Sequence, residues 1–211
     1  MGDTRAKLLE GAVETLRTRG IAGVSARSIA AAAGVNQALV FYHFDGVDDL
    51  LAQASRHAAE QRVAAYRDRF AAVTSMKELL DLGRALHVEE RDAGNLAVLA
   101  QMLAGSQTDP KLAPATAIGL ELWVTEIEEV VRRVLAGGPL AEFVDVGGLA
   151  RAVAAGFVGL ELYEGVDRAG ADRALAALEQ LADLVTALDD MGPLAQRAVR
   201  AGLRRSTGRG A

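Results

Sequence analysis

Within the stretch SARSIAAAAGVNQALVFYHF, residues 25–44, six side chains share a recognisable chemistry. The carboxamides of Asn36 and Gln37 donate and accept at once, which suits the edge of a nucleobase. Ala38 and Leu39 are small or apolar, the kind of group that packs on a thymine methyl. Tyr42 and His43 can reach phosphate oxygens. Such a set makes and breaks no covalent bond. It can read a surface, provided that one rigid element presents it.

The flanking residues supply that element. Ser25 can cap a helix, its hydroxyl accepting one of the unpaired amide protons at the helix start. Ile29, Ala30 and Ala33 then fall on one face. Gly34 ends the helix, because glycine enters the left-handed conformation without a Cβ penalty. Asn36 can cap a second helix with Val40 and Phe44 as its buried side. That helix has only about two turns, too few to be stable alone, so neighbours must hold it. Two helices around a tight glycine turn make a helix-turn-helix, which can place its second helix in a DNA major groove. An ordinary helical hairpin with a mildly polar outer face has the same spacing.

The fuller pattern over residues 25–51, R-x-I-A-x-x-A-G-V, then V-F-Y-H-F, then D-D-L-L, resembles the signature of TetR-type (tetracycline-repressor-like) bacterial transcription regulators. The resemblance implies an all-α protein: a three-helix helix-turn-helix DNA-binding domain at 1–46 and a helical effector-binding and dimerisation domain at 47–205. It implies a homodimeric repressor on a palindromic operator in double-stranded DNA, released when a small-molecule effector shifts the helix at 47–72. It also places Ser25 and Arg27 toward the groove. Two positions depart from the family pattern. Phe41 stands where a Tyr is frequent, and Val47 where a Lys is usual, so two phosphate contacts are lost. These losses are the support for an alternative, a helical protein-interaction module that has lost operator reading.

The whole-chain composition agrees with helices. In 211 residues the hydrophobic fraction is 51% but aromatics are only 4%, so a core must come from Ala, Leu and Val. The absence of cysteine excludes disulfides, thiolate metal sites and a cysteine nucleophile. Asp3, Arg5 and Lys7 interrupt what would be a signal peptide, and no apolar run is expected to approach the length of a membrane span, so a cytoplasmic protein without a membrane partner is expected. The net charge of −5 is unevenly spread. Residues 1–44 carry five basic against three acidic side chains, a net +2. Beyond Asp190 five arginines stand without an acid. One end can thus approach DNA while the acidic middle is kept off it.

A helix over 3–19 carries Leu9, Ala12, Val13 and Leu16 on one stripe. The helix at 47–72 changes its apolar face midway, from Leu50, Leu51, Ala54 and Ala58 to Val63, Tyr66 and Phe70, as if its two ends pack against different bodies. Further helices are expected at 76–91, 93–105 and 115–136. Tyr66, Phe70, Met102 and Trp123 are expected to line an apolar effector cavity, with His87 and Asn95 as its polar groups, because each interrupts an otherwise apolar face. Helices at 146–165 and 171–190 carry more apolar arc than one buried side needs. Leu149, Val153, Phe157 and Leu160 on the first, and Leu178 and Val185 on the second, are expected to form a dimer interface as a four-helix bundle. Residues 206–211 read as a disordered tail. No catalytic set, metal site or cofactor motif emerges: His43, His57 and His87 are scattered, and Glu89-Glu90 and Glu128-Glu129 read as solvated charges.

Overall fold

The computed structural model describes residues 2–207 and is all-α. Among these residues there are ten α-helices, one 3₁₀ turn at Ile21–Gly23 and no strand. The helices are α1 (Gly2–Arg19), α2 (Ala26–Ala33), α3 (Ala38–His43), α4 (Val47–Ala72) and α5 (Met76–Asp92). They continue as α6 (Asn95–Thr108), α7 (Ala113–Leu135), α8 (Val146–Glu164), α9 (Arg168–Asp189) and α10 (Pro193–Thr207). α10 therefore includes the first two residues of the expected tail; residues 208–211 lie outside the described residues.

The chain groups into two compact units, one of residues 1–66 with 87–123 and one of 67–86 with 124–211. The first unit takes in the start of α4 through that helix's first apolar face. Leu50, Leu51 and Ala54 are buried in one core with Leu8, Leu9, Ala12 and Leu16 of α1 and Ile29 and Ala30 of α2. Val40 and Phe44 join the same core. Ile21 and Val24 of the connecting turn pack against it, half-buried.

The local signals at α2 act as their types dictate. Ser25 Oγ accepts from Ser28 N at 3.1 Å while Ser28 Oγ accepts from Ser25 N at 2.9 Å, a reciprocal capping box. Gly34 closes the helix at φ 65°. α1 and α2 approach one another at Gly11, where a Cβ would stand 2.9 Å from Ala33 N and 3.0 Å from Ile29 O. Those neighbours are backbone atoms and cannot swing aside. Buried Thr15 donates its hydroxyl to Gly11 O at 2.7 Å, so no polar group is stranded along this seam.

The second unit is built around Leu79, Leu82 and Leu86 of α5 and Val124, Ile127, Val130, Val131 and Leu135 of α7. Arg133 donates to Phe70 O at 2.8 Å and Val73 O at 3.0 Å, satisfying carbonyls at the C-terminal end of α4. Asp145 and Asp167 cap α8 and α9 through Gly148 N and Gly170 N. α8 is a correction to the sequence reading in one respect. With 19 residues and a mean hydropathy of 1.3 it is long and apolar enough, by length and composition, to cross a membrane.

The α1–α2 seam gives a stability prediction. Gly11→Ala is expected to cost about 1–3 kcal/mol by forcing the two helices apart, seen as a lower midpoint in urea unfolding. Gly202→Ala, which meets open space on α10, is expected to be neutral or slightly stabilising through helix propensity.

Candidate functional site

α3 is a short helix fastened by one side. Val40 is fully buried and Phe44 is 4% exposed; the Arg5 guanidinium lies 5.4 Å from the Phe44 ring centroid. Asn36 Oδ1 accepts from Ala38 N at 2.8 Å, which caps the helix as the spacing predicts. Gln37 has helical angles, is exposed and makes no capping bond. Ser25, Arg27, Asn36, Ala38 and Tyr42 are likewise exposed. His43 is half-buried, its ring edge-on to Tyr42 with centroids 4.9 Å apart. Leu39 is half-buried and leans on the core, so part of its surface is already spent. Phe41 and Tyr42 are 60% and 64% exposed, two large rings held in water beside the amides. Val47 packs on the core instead of extending from it.

A second polar feature lies within the first unit, and sequence reasoning missed its centre. Glu90 is 5% exposed, whereas the sequence reads it as a solvated charge. The helix phase explains the difference. The buried stripe of α5 runs through Leu79, Leu82 and Leu86, and Glu90 is its next position; the sequence reading took the adjacent face that carries His87. The signal was present in the spacing of the three leucines.

The Glu90 carboxylate is well partnered. Its Oε1 accepts from Arg62 Nε at 2.8 Å, from an Arg62 terminal nitrogen and from Tyr66 Oη at 2.6 Å. Its Oε2 accepts from Asn95 Nδ2 at 2.7 Å. Arg62 also donates to Tyr66 Oη at 2.5 Å, and its guanidinium lies 5.1 Å from the Tyr66 ring centroid. The Trp123 ring is 6.0 Å from that of Tyr66. Three helices, α4, α5 and α6, meet at this carboxylate. Of the residues expected to line an effector cavity, the structure thus brings Tyr66, Asn95 and Trp123 toward one place. Met102 is buried in the core shared with α1, because α6 packs on α1. Phe70 is buried in the second unit, and His87 is half-buried on α5.

In the second unit the apolar faces of α8 and α9 are only partly used. Leu149, Val153, Phe157 and Leu160 are half-buried, and the Phe157 ring lies near Gly83 of α5. Val185 is half-buried as well. The open apolar side is Leu162 and Tyr163 on α8 and Val166 just beyond it, with Leu178, Leu181 and Leu184 on α9. Ion pairs of Lys77 with Asp183 and Arg84 with Glu179 fasten α9 to α5 from its other side.

Burial first, then the Glu90 carboxylate, pushes the Tyr66 phenol above its ordinary value. The neutral phenol is favoured by the fold, so its contribution to stability is whole below the unfolded value of about 10 and declines as pH rises above it. Between pH 9 and 11 the melting temperature of the wild type is expected to fall more steeply than that of Tyr66→Phe. Equal slopes would remove Tyr66 from this linkage.

Comparison with known proteins extends the picture. Residues 8–54 match the model of the family described as bacterial regulatory proteins, tetR family. Relatives from Mycobacterium tuberculosis and Mycobacterium bovis, uncharacterized HTH-type transcriptional regulators, are 23% identical over 130 residues, 62% of this chain and 67% of theirs. A Rhodococcus sp. protein described as a TetR-family transcriptional regulator superposes with a TM-score of 0.70 at 25% identity, over 88% of this chain and 99% of that one. The multidrug binding protein EbrR, complexed with proflavin, has the same fold at a TM-score of 0.59 and 22% identity, over 86% of this chain and 99% of that one. So does a Saccharomonospora viridis protein in complex with choline, at 0.66 and 21%, over 85% and 95%. Over residues 8–54, which hold α2 and α3, the chain thus carries a domain of the tetR family of bacterial regulatory proteins, and the relatives it resembles over more of its length are described as transcriptional regulators.

Proposed function

We propose that the protein is a homodimeric cytoplasmic repressor, whose two α3 helices read a palindromic operator and which a small molecule releases. The observation that carries this reading is the division of α3. Val40 and Phe44 fix the helix from below, while Gln37, Ala38 and Tyr42 stand in water beside Asn36 and Arg27. Gln37 and Arg27 are assigned to base edges and Tyr42 to phosphate, with Ser25, Asn36, Ala38, Leu39 and His43 completing the surface. Residues 1–46 are the reading head and 47–205 the effector and dimerisation region.

The dimer is assigned to α8 and α9. Leu149, Val153, Phe157, Leu160, Leu178 and Val185 border it, and the exposed Leu181 and Leu184 supply its centre. An apolar surface of this kind on two neighbouring helices suits a two-fold four-helix bundle. The effector is assigned to the vicinity of Tyr66, Asn95 and Trp123, with His87 on the adjoining turn of α5. That related folds hold proflavin and choline supports a small-molecule role for this one. A second reading, a protein-interaction module, is favoured by exposed Phe41 and by Val47 turned into the core.

Gel shift against fragments from around the gene separates the two readings, since only the repressor gives a discrete, competable complex. Gln37→Ala is then expected to cost about 1–3 kcal/mol and to relax preference at one base position. Tyr42→Phe is expected to weaken all sequences alike. Preference unchanged by Gln37→Ala would move base reading away from α3. Independently, Leu181→Glu and Leu184→Glu change side chains that are already exposed in one chain, so the fold should survive. Association should weaken on the order of a hundredfold, visible as a monomer by sedimentation. Unchanged association would take α9 out of the interface.

A further inference from the structure

The Glu90 network does more than satisfy itself, because its two charges are unequally placed. The Glu90 side chain is 6% exposed and the Arg62 side chain 35%. A buried carboxylate cannot leave, and a cation beside it offsets the cost of its burial. Arg62 can leave: its long stem lets the guanidinium swing into water without disturbing α4. Glu90 is therefore the fixed half of the pair and Arg62 the exchangeable half. What Arg62 occupies has the make-up of a cation-recognition site, with a carboxylate oxygen on one side, the Tyr66 ring 5.1 Å away and the Trp123 ring 6.0 Å from that of Tyr66. Asn95 holds the other carboxylate oxygen and so fixes the direction in which the charge faces.

We propose that Glu90, Tyr66 and Trp123 form a site for a small organic cation, and that Arg62 is the built-in occupant which such a ligand displaces. This rests on the effector reading above and names the ligand class. The ligand takes over the charge of Arg62, and its apolar part lies on the aromatic rings. Displacement also cuts the ion pair between α4, which begins one short loop after α3, and α5. A cation then binds only the form in which α4 has lost that tether, which is the differential affinity that an effector requires. An anionic ligand would have to face a buried carboxylate, and a neutral one would leave Glu90 without a counter-charge.

The test uses the full-length protein and its single tryptophan, whose ring adjoins the site. Methylguanidinium and choline are titrated against wild type, Arg62→Gln and Glu90→Gln while Trp123 fluorescence is followed. The neutral choline isostere 3,3-dimethylbutan-1-ol and the anion hexanoate serve as controls. A saturable response to the cations alone is expected, at least tenfold tighter in Arg62→Gln, where the internal competitor is gone, and absent in Glu90→Gln. Either cation binding Glu90→Gln as well as wild type overturns the proposal, as does a neutral control matching choline, or no saturable response at all. Should Arg62→Gln fail to fold by circular dichroism, wild type against Glu90→Gln decides alone, by the presence and loss of the cation response. Gel shift on the same preparations keeps the two readings apart. DNA binding with no cation response sinks only this site, and a cation response with no DNA binding sinks only the repressor.

Discussion

One carboxylate inside the first unit constrains three helices at once. Charge at 6% side-chain exposure is costly unless geometry and hydrogen bonds compensate it, and Glu90 meets that condition only with Arg62 and Tyr66 of α4 and Asn95 of α6 all in place. The helix phases follow from this requirement. α4 must present Arg62 and Tyr66, one turn apart, to the same point, and α6 must begin where Asn95 can reach back. Hydrophobic burial alone would leave these phases free to slide, since Ala and Leu faces tolerate rotation better than a hydrogen-bonded charge does.

The same helix joins the core of α1 to α3 at its other end. α4 starts at Val47, which leans on the core of α1 to α3, and Leu50, Leu51 and Ala54 continue that contact. About two and a half turns beyond Ala54 its buried side has rotated to Val63 and Tyr66. The change of face makes α4 a rod set into one core at its start and held by a charge cluster further along. Whatever alters the hold at Arg62 acts on a rigid element whose first residue follows the loop after α3. Sub-ångström changes at one end of a packed helix are carried along it because the core does not deform continuously.

The helix-turn-helix was readable in the sequence because each of its devices is local. A serine cap, a left-handed glycine and a capping asparagine act within four residues of themselves, and Val40 and Phe44 sit at a helical repeat. The bounds of α4, Val47–Ala72, and its two apolar faces were readable for the same reason. Glu90 was not, because burial of a charge is decided by partners 24 and 28 residues away. A single-sequence reading prices an acid as solvated, and only the phase of Leu79, Leu82 and Leu86 argued otherwise. Met102 shows the converse: its polarizable side chain suits a cavity wall, but the packing of α6 on α1 turns it into the core. The open side of α8 and α9 was visible as excess apolar arc. Which side stayed open depended on how much of the stripe Phe157 and its neighbours spend within their own unit.

The electrostatics of the chain fit a reader that depends on geometry. A net +2 over residues 1–44 in a chain of net −5 offers little bulk attraction to a phosphate backbone. Phe41 and Val47 remove two further places where a polar or basic side chain could meet phosphate. A head this weakly charged gains little from non-specific DNA, and its discrimination must come from base edges. In the proposed dimer, coupling two such heads would matter more than adding charge to either, because the second contact is made at high effective concentration once the first is formed. That gain holds only while the separation of the heads matches the operator. On the proposed mechanism, a protein that binds through spacing rather than charge is released by a small change in spacing, and a single ion pair on α4 lies on the scale of energy needed to set it.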